Sequence, residues 1–243
     1  MSPPWRRQHR RRRGLPNYRL IRYADDFVVL VHGTRSDAEQ IKAQIGSMLA
    51  EQLRMTLSPS KTHITHIDDG FVFLGFRIQR WHHRNGRRMV RTIASKDALA
   101  KVMHKIKDAT GASKTSLRLS QVLRKINPVL RGWAAYFRYG ASKKTFSYLG
   151  YYAWWRMISW IRHKHPQLTW KQIRVRYYGA DRISEDGYTL YNPAKMRVER
   201  YRFRGAKIST PYNIDVIDPA GARFRQTGHV DEAFVGRVSE LIG

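Results

Sequence analysis

Apolar residues recur along this chain in several distinct rhythms. Leu20 to Val31 holds two apolar stretches around a short polar tip, Ala24-Asp25-Asp26, and predicts a β-hairpin. Ile41, Ile45, Met48, Leu49 and Leu53 then return at helical spacing, and Ser36 with Glu39 ahead of them forms a capping-box pattern. Thr62 to Ile67 alternates as a strand, Asp68-Asp69-Gly70 turns the chain, and Phe71 to Ile78 returns as another strand. Trp81 to Arg91 has neither rhythm and reads as a basic loop.

Beyond it the pattern becomes helical. Leu99, Val102, Met103 and Ile106 form one stripe; Leu119, Val122, Leu123, Ile126 and Leu130 form a second, interrupted or restarted at Asn127-Pro128. Phe146, Leu149, Ala153, Met157 and Trp160 form a third. These stripes read as bundle core, while the faces opposite them are strongly cationic. Trp170 to Tyr178 predicts another short helix, and Tyr188 to Tyr191 and Val198 to Ile208 look strand-like. Ser209 to Gly243 gives a weak signal, with turns at Pro211, Pro219 and Gly221. No internal repeat is found, and the class expected is α+β.

Composition narrows the partner. Lys and Arg number 46 against 18 Asp and Glu, a net charge of +28 with a pI near 11.0. Such an excess opposes compaction unless a polyanion neutralises it, and each cation that meets a phosphate also releases a condensed counterion. Arg outnumbers Lys 32 to 14, a bias toward planar, bidentate phosphate recognition and stacking on bases. No apolar run approaches the roughly 20 residues that span a bilayer, and no apolar segment follows the basic start, so neither a membrane nor secretion is expected. A cytoplasmic, nucleic-acid-associated protein is. Cysteine is absent, which excludes disulfides and Cys-ligated zinc.

One constellation carries chemistry. Arg22-Tyr23-Ala24-Asp25-Asp26-Phe27-Val28-Val29-Leu30 puts two adjacent carboxylates at a hairpin tip, where hard oxygen ligands suit magnesium. Two such ions can activate an attacking hydroxyl and stabilise a leaving pyrophosphate. An Asp-Asp pair alone usually marks a solvated turn, and Asp68-Asp69 is read that way. The first pair, flanked by Tyr and by Phe-Val-Val-Leu, resembles the Tyr-x-Asp-Asp motif of reverse transcriptases. Leu57-Ser58-Pro59-Ser60-Lys61-Thr62 resembles the next palm motif, and Phe73-Leu74-Gly75-Phe76 the primer-grip strand after it. Asn127-Pro128-Val129-Leu130-Arg131-Gly132-Trp133-Ala134-Ala135-Tyr136-Phe137-Arg138 is similar to the thumb signature of group II intron reverse transcriptases and maturases. The Trp- and Tyr-rich stretch Phe146 to Lys164 continues that similarity, which covers roughly residues 10 to 210.

Arg6, Arg7 and the run Arg10 to Arg13, with prolines at 3, 4 and 16, make residues 1–18 read as a basic N-terminal arm, extended and without a core of its own. The resemblance implies a partial reverse transcriptase palm over 19–92, an antiparallel sheet with a helix. A helical thumb or maturase domain would follow over 93–166, then an irregular DNA-binding-like region and tail over 167–243. It makes Asp25 the expected metal ligand with Asp26 beside it, and magnesium the cofactor. Tyr23 would line the template–primer track, joined at the primer grip by Phe73, Gly75 and Phe76; the two phenylalanines read equally as core. Lys61 would meet the incoming triphosphate or protonate its leaving group, or is an ordinary turn lysine. Arg131, Trp133, Tyr136 and Arg138, with Lys101 and Lys105, would form an intron RNA surface, although Trp133 also reads as core.

Two departures from the family matter. Its palm needs a further carboxylate from an earlier strand, and residues 1 to 24 contain no Asp or Glu; the fingers would also lie upstream. The lone chain is therefore expected to lack polymerase activity. Without Cys pairs, an endonuclease module and target-DNA nicking are not expected either. Three readings remain: a reverse transcriptase part completed in trans by an N-terminal half, a maturase remnant that binds structured intron RNA and supports splicing, or a decayed reading frame. Target DNA is a further possible partner.

Overall fold

Residues 4–82, 85–199 and 232–240 are described by a computed structural model. The chain divides into two units, Met1–Phe73 with Ile78–Val90 and Arg202–Gly243, and Leu74–Arg77 with Arg91–Tyr201.

The first unit is organised around the predicted hairpin. Strands β1 (Asn17–Tyr23) and β2 (Asp26–His32) pair antiparallel in a register that sets Tyr23 opposite Asp26 and leaves Ala24-Asp25 as the connection. Ahead of it, the Arg-rich segment is helix α1 (Pro4–Arg12), not the extended arm expected. Arg is a good helix former and Pro suits a first helical position. The Asn17 side-chain amide donates to the Arg7 carbonyl at 2.8 Å and ties α1 to β1.

Helix α2 (Arg35–Leu53) starts two residues earlier than predicted. Its cap is Thr34, whose hydroxyl accepts from the Asp37 amide while the Asp37 carboxylate accepts from the Thr34 amide at 2.7 Å. Ser36 and Glu39 do not form the cap. Ala38, Ile41 and Leu49 are buried with Ile45 packed beside them, whereas Met48 and Leu53 flank that arc and are exposed. Strands β3 (Met55–Leu57) and β4 (His63–His66) enclose a single 3₁₀ turn, Pro59–Lys61.

Strand β11 (Glu232–Glu240), from the weakly patterned tail, lies inside this sheet. Residues 232–237 pair antiparallel with β2; on its other side β11 pairs with β4 through 232–235 and with β3 through 238–240. The order is β1-β2-β11-β3, with β4 also on β11 and β1 at the edge. β2 is buried on both faces, as an inner strand should be. Phe27, Val29 and Val31 pack with Ala38 and Ile41, and Val28 packs on the opposite side with Ile67 and Phe71.

A three-stranded sheet follows in the order β5 (Phe71–Phe73), β6 (Phe76–His82), β7 (Arg88–Ala94). Sequence pattern predicts one strand from Phe71 to Ile78 and a loop from Trp81 to Arg91. Instead Leu74 and Gly75, at φ +49° and +74°, make a two-residue turn, and most of the basic stretch is strand. Positive φ at both positions suits the tight hairpin turns.

The second unit is a helical bundle: α3 (Lys96–Ala109), α4 (Leu119–Phe137), α5 (Lys143–Lys164) and α6 (Trp170–Tyr177). The three predicted stripes meet in one core, except for Phe146, which packs with Ala94, Ala134 and Phe137 in a second. Asn127-Pro128 does not interrupt α4. Asn127 is buried, and its side chain donates to the Thr189 carbonyl at 2.9 Å and accepts from the Tyr191 amide at 2.8 Å. Those residues belong to a small sheet of β8 (Tyr178–Gly179), β9 (Arg182–Glu185) and β10 (Tyr188–Thr189) and the segment just after it. Of the strand-like stretch Val198 to Ile208, residues 200 onward lie outside the described residues. The class is α+β, with antiparallel strand pairs in small sheets. No described helix is long and apolar enough to cross a membrane.

Candidate nucleic-acid interface

The acidic tip is built by the turn between β1 and β2. Asp25 is exposed in that turn, Asp26 is half-buried at the start of β2, and Tyr23 is 64% exposed at the end of β1. Ala24 holds φ at +51°, a conformation an L-residue with a Cβ adopts at some cost, and the Arg22 guanidinium donates to its carbonyl at 2.8 Å. Lys61 is exposed at the end of its 3₁₀ turn, and Phe73 packs beside the Val28, Ile67 and Phe71 core. Two hard-oxygen donors suit magnesium, but a full shell requires more ligands. Among the described residues no cluster of three or more His, Asp or Glu forms such a site.

Asp68, read from sequence as part of a solvated turn, is instead an ion-pair partner. The Arg80 guanidinium donates to both its oxygens, at 2.5 and 2.9 Å, and holds its carboxyl below the usual range.

In the second unit, residues assigned to the primer grip and to the thumb signature come together. Phe76 stacks on Tyr136 with ring centroids 5.5 Å apart and tilts against Phe137 at 4.8 Å. The Tyr136 hydroxyl donates to the Leu74 carbonyl at 3.0 Å. Gly75 accepts through its carbonyl from the Ser95 amide at 2.8 Å, and a Cβ there would lie 3.4 Å from the Phe137 ring. Trp133 is half-buried, packs on Phe137 and Phe146, and donates its indole N–H to the Ala98 carbonyl at 3.2 Å. It belongs to the core. Arg138 is committed to Tyr139, whose hydroxyl accepts from it at 2.6 Å, and to Glu199 at 3.7 Å.

The remaining cations divide by what they already touch. Arg156 caps the end of α3, donating to the Thr110 hydroxyl at 3.0 Å and the Thr110 carbonyl at 3.1 Å. Lys164 donates to the Thr115 and Leu117 carbonyls at 2.6 and 2.8 Å. Both serve the bundle. Lys101 and Lys105 on α3, and Arg124, Lys125 and Arg131 on α4, are exposed. Arg124 lies over Tyr188 and Arg131 over Tyr191, at 5.6 and 5.4 Å from the ring centroids. Arg124 and Lys125 escaped the sequence reading, although their place opposite the Leu119–Leu130 stripe marks them as outward. Helices α4, α5 and α6 together carry eleven Lys and Arg and no Asp or Glu.

The family described as "Group II intron, maturase-specific domain" matches residues 99–178. Protein YkfC of Escherichia coli is 42% identical over 84 residues, 34% of this chain and 22% of that protein. Group II intron-encoded protein LtrA of Lactococcus lactis subsp. cremoris is 26% identical over 180 residues, 65% of this chain and 30% of LtrA. The COX1/OXI3 intron 2 protein of Saccharomyces cerevisiae is 33% identical over 87 residues, 35% of this chain and 10% of that protein. The chain thus spans less than a third of the length of each. The matched residues 99–178 hold most of α3 and all of α4, α5 and α6, so it is this helical region that is similar to the group II intron maturase-specific domain.

Proposed function

We propose that this chain binds structured group II intron RNA and supports its splicing. The observation that carries this reading is the acid-free charge of α4, α5 and α6 inside the region matched to the maturase-specific family. Folded RNA is recognised largely by shape and backbone, which favours a rigid cationic bundle over base-reading loops. Lys101, Lys105 and Arg131 supply exposed phosphate contacts. Binding to a cognate intron RNA should weaken steeply with salt, and the triple variant Lys101→Ala, Lys105→Ala, Arg131→Ala should lower the slope of log affinity against log salt by about 2. Equal slopes for both proteins would remove these residues from the interface.

A second reading rests on the hairpin tip. Residues 19–92 are proposed as the end of a reverse transcriptase palm and 93–166 as its thumb, with Asp25 and Asp26 contributing to a magnesium site completed by carboxylates outside them. In complete form such a protein would copy RNA into DNA at a target site. Primer extension with magnesium tests this: the chain alone is expected to be silent. A polypeptide bearing fingers and an Asp-containing palm strand should restore synthesis, and Asp25→Ala should abolish the restored activity. Restored synthesis that survives Asp25→Ala would end the assignment. RNA binding should persist in that variant, since Asp25 lies in the other unit from the cationic helices. A cytoplasmic, nucleic-acid-associated location accords with both readings.

A further inference from the structure

Helix α5 has two aromatic faces, and only one of them is core. Phe146 and Trp160 are buried with Leu149, Ala153 and Met157. Tyr148, Tyr151 and Trp155 are 52%, 60% and 50% exposed. At 100° per residue these three rings fall within about 60° of one another on the outer side, together with Lys144 and Arg162. The line they form, Lys144–Tyr148–Tyr151–Trp155–Arg162, runs about 27 Å along the helix, with a cation at each end. Large aromatic rings left in water cost hydration free energy that burial would recover, so an exposed row of three on one helix face marks a contact surface.

We infer that this face is a stacking platform for an unpaired segment of RNA. The inference rests on the RNA-binding reading above and adds to it which surface takes unpaired bases. The helix contains no Asp or Glu, so nothing on it repels a phosphate backbone. That charge argues against a basic or neutral protein partner. Successive rings are about 4.5 and 6 Å apart in helical rise, a spacing compatible with bases of an extended single strand stacking on consecutive rings. A regular duplex conceals its base faces and cannot use them. Part of the platform is held in place beforehand: Tyr151 stacks on Trp154 at 6.1 Å and 25°, and Trp154 donates its indole N–H to the Tyr178 hydroxyl at 3.0 Å.

The test uses the full chain with two probes of equal phosphate count, a single-stranded oligouridylate and a blunt RNA duplex, alongside a structured intron RNA. Because Tyr148, Tyr151 and Trp155 are exposed, their variants should keep the wild-type melting temperature. Trp155→Ala is expected to weaken oligouridylate binding about fivefold or more, and Tyr148→Ala with Tyr151→Ala to weaken it further, while duplex affinity is unchanged. Trp155→Phe should retain most of the affinity yet lose the indole fluorescence quenching that oligouridylate produces in the wild type. Unchanged oligouridylate binding in the combined variant would overturn the proposal, as would an equal loss for single strand and duplex. So would self-association of the wild type that Trp155→Ala dissolves with RNA binding intact. Failure of the wild type to bind intron RNA at all would instead defeat the broader reading.

Discussion

Arg80, whose side chain is only 8% exposed, commits two guanidinium donors to Asp68. Removing that acceptor with Asp68→Ala should destabilise the first unit by about 2 kcal/mol, read from urea denaturation. The hydrogen bond from Arg80 depresses the Asp68 carboxyl. Its contribution is therefore full above the ordinary carboxylate value of 3.8 and lost as pH falls through the depressed one; Asp68→Asn should flatten that acid limb. His165 also makes acid destabilising, but at higher pH and because its neutral form is the one favoured by the fold. Its Nε2 meets the Tyr177 hydroxyl at 2.5 Å, and burial first, then Arg176 and Lys164, lowers its pKa from 6.5. The unfolded chain takes up that proton first, so stability should fall as pH drops below about 6.5. Thermal melts at pH 7.5 and 5.5 should show a smaller difference for His165→Phe than for the wild type.

Helices were the most legible elements, because each bundle stripe repeats over several turns and every stripe residue from Leu119 to Leu130 is buried. Asn127 was the exception. A polar residue before Pro reads as a break, yet its amide satisfies Thr189 and Tyr191 more than 60 residues away, which no local pattern can announce. Asn127→Ala should leave both backbone groups without that partner and cost about 2 kcal/mol, with faster amide exchange at Tyr191 as its signature. The strands were harder. Met48 and Leu53 obeyed the helical period of α2 but lie beside its buried arc, and Trp81 to Arg91 lacks the alternation that would mark β6 and β7. Of the site, the acidic tip was visible from its flanking residues and the thumb signature from its motif. The outward rings of α5 were hidden by the more obvious apolar stripe on the same helix.

Across the whole molecule, the two units are built differently. The second holds the three acid-free helices α4, α5 and α6, while the first, which carries the Arg-rich α1, depends on a strand supplied from far along the chain. β11 is joined to β2 by nearly 200 intervening residues and gives the sheet an inner member that the hairpin region lacks on its own. Its flanks of Glu and its central Gly236 gave it little strand character in sequence. Deleting residues 232–240 should strip hydrogen-bond partners from β2 and β4, so their amides lose exchange protection while α4 and α5 keep theirs. If β4 stayed protected in the shortened chain, the inner position of β11 would be refuted. The order of synthesis gives the same feature another meaning. The maturase-matched segment is synthesised well before the codons for Glu232 to Glu240 are read, so the bundle can finish folding while the sheet of the first unit still waits for β11. A stop codon placed just before Glu232 would yield a chain with sound helices and an open, aggregation-prone β-edge.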